Sequence, residues 1–265
     1  MENIFTIAET CLHQVDIEQK IEKTHYAKKL SDSGQLSFQA CDAVLAVSHT
    51  KFPDKPPLLS PRDMPRRRIN SPTGKIAFFH ALAHIEFVAI YLAWDMLYRF
   101  RGLPEQFYQD WLRVADEEAL HFTLIRKHLL AMGADYGDLP AHSGLWDHAE
   151  ETAEDVLARL AIVPRCMEAR GLDITPQMIE KFNSQGDIDS VKLLTRILED
   201  EVGHVKIGSY WFKKLCQQKQ LNHEQKYIEL IKKFYVGKPK GPFNRELRII
   251  AGFTNAEIDW LEESA

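Results

Sequence analysis

Apolar residues recur at three- and four-residue spacing along most of the chain, and no segment alternates apolar and polar residues as a half-buried strand does. This pattern predicts an all-α protein. Long helices are expected at about 74–101, 104–132, 147–171 and 187–218. Further helices are predicted at about 2–30, 36–49, 222–234 and 254–263, with a short one after Pro176. Four long helices with helical extensions favour a ferritin-like four-helix bundle.

Changes in composition divide the chain into three predicted parts. Residues 1–73 form an N-terminal helical extension that ends in an arm, 74–218 form the bundle, and 219–265 form a C-terminal helical extension packed on it. The arm, from 52 to 73, is rich in proline and arginine, and proline lacks the backbone donor that regular structure needs. We therefore expect the arm to be irregular.

The first long helix contains an apolar run, Ile76–Tyr98, which is about as long as a membrane span. It also contains His80, His84, Glu86 and Asp95, and ionisable groups are costly at membrane depth. No second comparable segment is present in the sequence. The run therefore predicts a helix buried inside a soluble protein, with no membrane partner, and raises the question of what Glu86 does there.

Composition supports a soluble, folded protein. The 265 residues include 33 Lys and Arg against 38 Asp and Glu, a net charge of −5, and 45% are hydrophobic. This balance argues against a surface that binds nucleic acid throughout. The four cysteines are scattered without a Cys-x-x-Cys pair, and the first twenty residues carry acids where a secretory signal carries bases. We expect reduced thiols and a cytoplasmic location.

The second and fourth long helices share a Glu-x-x-His motif, Glu118 with His121 and Glu201 with His204. Residues three apart lie on one helix face, one turn apart, so both side chains can reach the same point. The first and third helices each offer one further acid, Glu86 and Glu168. Glu86 precedes Glu118 by 32 positions, and Glu168 precedes Glu201 by 33. Two helix pairs therefore repeat one pattern.

Carboxylate-bridged dinuclear metal bundles use this ligand set: one Glu from each of two helices, and a Glu-x-x-His motif from each of the other two. Four carboxylates would balance two divalent ions, whereas buried unpaired carboxylates are strongly unfavourable. Oxygen and imidazole ligands suit iron or manganese. The predicted metal ligands are Glu86, Glu118, His121, Glu168, Glu201 and His204.

Either Glu-x-x-His motif alone is more typical of a solvated helix face. The neighbours on the same face distinguish the alternatives, because those of Glu86, Glu118 and Glu201 are apolar or small, as on a core-facing stripe. Asp116 and Asp200 fall to the sides, where they either orient the ligand histidines or remain surface acids.

Three other positions carry weaker expectations. Pro164 lies four residues before Glu168 and predicts a kink in that helix. Arg165 either contacts a ligand carboxylate or turns outward. His80 and His84 lie on another side of their helix from Glu86, where packing against the N-terminal extension is the simpler interpretation.

With these motifs, residues 74–218 resemble the ferritin-like di-iron carboxylate superfamily. The segments ADEEALHF, LEDEVGHVKIGSYWF and GKPKGPFN resemble an uncharacterised bacterial family, domain of unknown function 455, which is distantly similar to the tRNA hydroxylase MiaE. The resemblance implies two bound metal ions, most simply iron, with manganese or a mixed pair as alternatives, and O2 as co-substrate. It implies a hydroxylase or monooxygenase of a small molecule or modified nucleotide, with Glu118 and Glu201 as bridging ligands.

The segments on either side of the predicted bundle carry basic residues that suggest a binding partner. A group of basic residues offers either an anion-binding patch, with tRNA as one candidate ligand, or solvated loops: Arg62, Arg66, Arg67, Arg68, Lys75, Lys238 and Lys240. The sequence has no Gly-x-Gly-x-x-Gly fingerprint, so a separate electron-donor protein is expected.

Two alternatives to a hydroxylase stay open. One is a ferroxidase or metal-handling protein without an organic substrate. The long extensions disfavour a storage shell, and we expect a monomer or small homo-oligomer. The other is a binding module that holds no metal.

Overall fold

A computed structural model describes residues 1–39, 43–60, 62–65, 69–235 and 239–264. Within these residues the all-α prediction is confirmed, because the only strands are β1 (Glu2–Asn3) and β2 (Leu36–Ser37), with one isolated bridge between Leu58 and Ala141. The chain divides into two compact units, Met1–Glu150 and Glu151–Ala265. The predicted domain boundaries at residues 73 and 218 stay predictions.

The first unit is built on two long antiparallel helices. Its elements are α1 (Ile4–His13), α2 (Ile17–Asp32), a 3-10 turn (Val47–His49), α3 (Pro72–Arg99), α4 (Glu105–Ala131) and α5 (Gly144–Glu151). Helix α3 packs along α4, while α1 packs on α3 and α2 on α4. The side chains between them form a dense core that includes Phe79, Trp94 and Trp111.

Two of the predicted helices in this unit are wrong. The segment 2–30 is two helices, because the backbone is extended at Gln14 and Asp16, and the Asp16 carboxylate accepts a hydrogen bond from the Gln19 N–H as the cap of α2. The segment 36–49 holds only β2 and the 3-10 turn among its described residues. The described residues of the arm before Pro72 are not helical, as predicted.

Helix α3 contains the apolar run. It begins at Pro72, where the Ser71 hydroxyl accepts a hydrogen bond from the Gly74 N–H. Among the described residues it is the one helix long and apolar enough to cross a membrane, but 61% of its most apolar window is buried inside the protein. This burial agrees with the predicted core helix of a soluble protein.

The second unit packs shorter helices around one long helix. Its elements are α6 (Val156–Ile162), a π-helical segment (Val163–Glu168), α7 (Ala169–Ser184), α8 (Ile188–Gln218), α9 (His223–Phe234), α10 (Arg245–Ile250) and α11 (Asn255–Ser264). The π segment and α7 pack along α8, and α9 packs on α6 and α8. The irregularity predicted at Pro164 is thus a π segment. The short helix predicted after Pro176 is present as part of α7, which is longer than expected because it begins before Pro176 and continues through it.

Candidate metal centre

The first group of predicted ligands lies between α3 and α4. Glu86, Glu118 and His121 are 4%, 1% and 0% exposed. Each offers a ligand atom, and these atoms lie within 4.8 Å of one another. Their helix neighbours Ala83, Ile90 and Ala115 are buried as well. The sequence prediction that these acids occupy the core-facing stripe is therefore confirmed for this helix pair, and the three residues form a group that could hold a metal ion.

The His121 ring turns one nitrogen toward both carboxylates. Its Nδ1 lies 3.1 Å from Oε2 of Glu86 and 3.6 Å from Oε2 of Glu118. The short distance from His121 to Glu118 follows from the helix itself, because residues three positions apart lie on the same helix face. Nδ1 is consequently the ring atom placed to share a metal ion with the two carboxylates.

The second motif repeats this arrangement on α8. His204 is fully buried, Glu201 has a side chain that is 12% exposed, and His204 Nδ1 lies 3.3 Å from Oε1 of Glu201. In both motifs the same ring nitrogen therefore faces the glutamate one turn earlier. The internal repeat read from the sequence extends to side-chain geometry.

Glu168 is the last residue of the π segment, and its Oε2 is shielded from solvent. The π segment packs against α8 at Gly208, which lies four residues after His204 on the same helix face. A Cβ on Gly208 would lie 2.6 Å from Cβ and Cγ of Pro164. Glycine at this position lets the backbone that carries Glu168 approach the backbone that carries Glu201 and His204.

The first group fits a divalent cation by its chemistry. Glu86 and Glu118 supply two carboxylates and His121 supplies an imidazole nitrogen, a mixture that suits iron, manganese or zinc. Two buried carboxylates this close repel each other, and a +2 ion would balance their charge. The surrounding core excludes water from that site.

The two other histidines of α3 have structural roles. His80 Nε2 accepts hydrogen bonds from the N–H groups of Gly137 and Leu139. His84 Nδ1 lies 2.9 Å from the Tyr136 hydroxyl, and burial lowers the pKa of His84 to about 4. Both therefore hold the loop after α4, while His84 also borders a cavity lined by Phe52 of the N-terminal extension, as expected for that side of the helix.

The flanking acids contact side chains other than the ligand histidines. Asp116 lies 2.6 Å from Nδ1 of His25 on α2, and Asp200 accepts a hydrogen bond from Arg196 at 3.0 Å. Of the two alternatives left open, these contacts favour acids at the side of the helix over acids that orient the ligand histidines.

The sequence analysis did not predict that Lys20 of α2 is buried. Lys20 is fully buried, its ammonium donates a hydrogen bond to the Cys11 carbonyl, and it lies 3.6 Å from the centre of the Tyr91 ring. Burial lowers the pKa of Lys20 to about 7. The Tyr91 hydroxyl donates to the carbonyl of Lys51 at 2.9 Å. These contacts attach the N-terminal helices to the side of α3 that does not carry Glu86.

A cavity of about 260 Å³ also borders α3, with Phe52 and Trp146 among its walls. His84 and Val88 line it, and each is two positions from Glu86. Positions two apart point to opposite sides of a helix, so the α3 backbone separates this cavity from Glu86.

The sequence left open whether Arg165 contacts a ligand carboxylate or turns outward. Its guanidinium is fully buried and donates hydrogen bonds to Glu257 at 2.7 Å and to the Ser209 hydroxyl at 3.2 Å. Glu257 in turn forms a capping box with Thr254 at the start of α11. The Thr-x-x-Glu sequence was the available signal for that cap, whereas nothing in the sequence paired Glu257 with Arg165.

The proposed basic patch lies partly outside the described residues, which do not include Arg66, Arg67, Arg68 or Lys238. Arg62 and Lys240 are exposed. The patch stays a prediction.

The sequence matches a known family over residues 13–259, under the description "Protein of unknown function (DUF455)". The matched range includes all six predicted ligands. An uncharacterized protein of Haemophilus influenzae is 45% identical over 219 residues, which cover 80% of this chain and 76% of that protein. No solved structure shows significant similarity to the chain.

Proposed function

Since the chain belongs to the DUF455 family, whose function is unknown, we propose a function from the candidate metal centre: the protein is a dinuclear-metal, O2-dependent oxidoreductase. The observation that carries this proposal is the buried group of Glu86, Glu118 and His121, with ligand atoms within 4.8 Å of one another. A structural role alone does not explain why two carboxylates and an imidazole converge in an apolar core.

The repeat extends the proposal from one metal ion to two. Glu201 and His204 reproduce the local geometry of Glu118 and His121, and Glu168 stands at the position in the repeat that Glu86 occupies. We assign the six residues to one centre of the ferritin-like type, in which they would together hold two metal ions, with Glu118 and Glu201 as the ligands that both ions would share. The total ligand charge of −4 then balances two divalent ions.

In this proposal the metal ions, most simply iron, would supply the redox chemistry with O2, and the chain would bind and enclose them. Its carboxylates and imidazoles hold the ions, and the apolar surroundings of Glu86 and Glu118 keep water away from the reaction. The side-chain set leaves coordination positions open, which a closed structural site does not. Hydroxylation of a small molecule or a modified nucleotide is the reaction class that we favour.

The remaining partners in the proposal are a separate electron-donor protein and, as a candidate substrate, tRNA. The exposed cation Arg62 belongs to the basic arm that would contact an anionic substrate. A cytoplasmic location suits both partners, since tRNA and reduced electron carriers are found there.

The test is oxygen reactivity of protein loaded anaerobically with two equivalents of Fe(II). Exposure to O2 should consume oxygen and produce a new visible absorption band. E118Q should abolish both, whereas E117Q, which alters the neighbouring acid that pairs with Arg113, should retain both. Loaded wild-type protein that neither consumes O2 nor changes its spectrum would refute the oxidoreductase proposal.

A ferroxidase or metal-handling role is the second candidate, because the same ligands would serve it without an organic substrate. Light scattering on the eluting size-exclusion peak separates the two. A monomer or small oligomer agrees with the oxidoreductase, whereas a shell of many subunits favours metal storage.

A further inference from the structure

The C-terminal part of the second unit contacts the backbone on both sides of Glu168. The Tyr227 hydroxyl of α9 donates a hydrogen bond to the carbonyl of Arg165 at 3.2 Å, three residues before Glu168. On the other side, Arg248 of α10 donates to the carbonyl of Ala169 at 3.4 Å. Side chains of the C-terminal helices therefore hold two main-chain carbonyls that flank this one acid.

These hydrogen bonds reach the π segment and the first residue of α7. A π-helical turn departs from the regular i to i−4 hydrogen-bond pattern. Tyr227 and Arg248 donate to main-chain carbonyls from outside these helices and so connect them to α9 and α10. Both donors are buried, with exposures of 0% and 2%.

Two buried ion pairs reinforce the same attachment. The Arg165 guanidinium binds Glu257 of α11 at 2.7 Å, and aromatic rings surround it, with the Tyr227 ring centre 4.3 Å away. Arg248 binds both carboxylate oxygens of Asp173 on α7, at 2.9 and 2.8 Å. Such pairs are rigid because a buried charge that loses its partner is strongly destabilising.

We propose that helices α9 to α11 act as a clamp that sets the position of the metal ligand Glu168, with Arg165, Tyr227, Arg248 and Glu257 as positioning residues. This inference rests on the proposed dinuclear centre. Residues that orient metal ligands typically change metal affinity by about 10- to 100-fold when substituted. The ion held by Glu168 should depend on the clamp, and the ion held by Glu86 should not.

The experiment is a stepwise titration of the full-length, metal-free chain with Co(II), which gives two binding constants and a visible spectrum for each step. E257Q keeps the size of the side chain but removes the charge that faces Arg165. It should weaken one Co(II) ion by about tenfold or more, alter that ion's spectrum, and leave the other ion as in the wild type.

R245M is the matched control. Arg245 also joins α10 to α11, through Asp259 and Glu262, but this pairing is exposed and includes none of the four proposed positioning residues. R245M should bind both ions with wild-type constants. Y227F, which removes only the hydroxyl that binds the Arg165 carbonyl, should weaken the same ion as E257Q, and it decides the question if E257Q does not fold.

The outcomes separate this inference from the proposed function. Wild-type protein that binds no Co(II) would overturn both. Wild-type protein that binds two ions, together with E257Q and Y227F proteins that keep both constants and both spectra, would overturn the clamp alone. Equal weakening of the two ions in the variants would also overturn it, because that result indicates a general loss of structure.

Discussion

Replacement of Gly208 by alanine tests whether the close approach of α8 to the π segment is a requirement of the fold. Alanine is a better helix former than glycine by about 1 kcal/mol, so the substitution would stabilise an unobstructed helix. Here the added Cβ would lie 2.6 Å from two carbons of the Pro164 ring, which cannot rotate away. Overpacking of this kind costs about 1–3 kcal/mol.

The two effects oppose each other, and the steric effect is larger. We expect G208A to be destabilised by about 1 kcal/mol in the metal-free protein. Gly171 in α7 provides the control, because nothing lies within 4 Å of a Cβ placed there. G171A should instead be stabilised by as much as about 1 kcal/mol.

Urea denaturation in the presence of EDTA, followed by circular dichroism, measures both variants against the wild type. In a parallel thermal denaturation, a difference of 1 kcal/mol corresponds to a Tm shift of about 2–4 °C for a domain of 150–250 residues. If G208A gains as much stability as G171A, the Gly208 and Pro164 contact does not constrain the fold, and the argument from it is wrong.

Two further predictions concern single buried charges. Burial lowers the pKa of Lys20 to about 7 in the folded chain, so between pH 7 and 10 the unfolded chain binds more protons than the folded chain. The free energy of unfolding of the wild type should therefore rise relative to that of K20M as the pH increases from 7 to 10. A difference between the two proteins that stays constant across that range would contradict this. E118Q should be at least as stable as the wild type in EDTA, since it removes one of two close buried carboxylates. With metal present, E118Q should lack the increase of about 2.7 kcal/mol in the free energy of unfolding that a metal ion at 100 times its Kd provides. If Mn(II) raises the Tm of E118Q as much as that of the wild type, Glu118 is not a ligand.

Spacing predicted three of the helices that carry candidate ligands because long periodic segments constrain the chain strongly, whereas the helix predicted at 147–171, which carries Glu168, is divided into several shorter segments. The bounds of α3, α4 and α8 lie within two residues of the predictions. The burial of Glu86 and Glu118 also follows from the sequence, because each acid lies among apolar residues on one helix face.

Sequence reasoning failed where local chemistry overrides periodicity. The residues 2–30 keep a helical spacing, yet the cap at Asp16 starts a new helix within them. Pro176 looked like a boundary, but α7 accommodates it. The pairing of Arg165 with Glu257 joins residues 92 positions apart, and only the tertiary structure brings them together.

In the proposed centre, six side chains hold two metal ions in each chain. Elemental analysis of protein purified anaerobically, combined with native mass spectrometry, measures this directly. The account predicts two ions of iron, manganese or both per chain, and fewer than one in a variant with both H121A and H204A. Wild-type protein that contains no metal, or zinc alone, would contradict it.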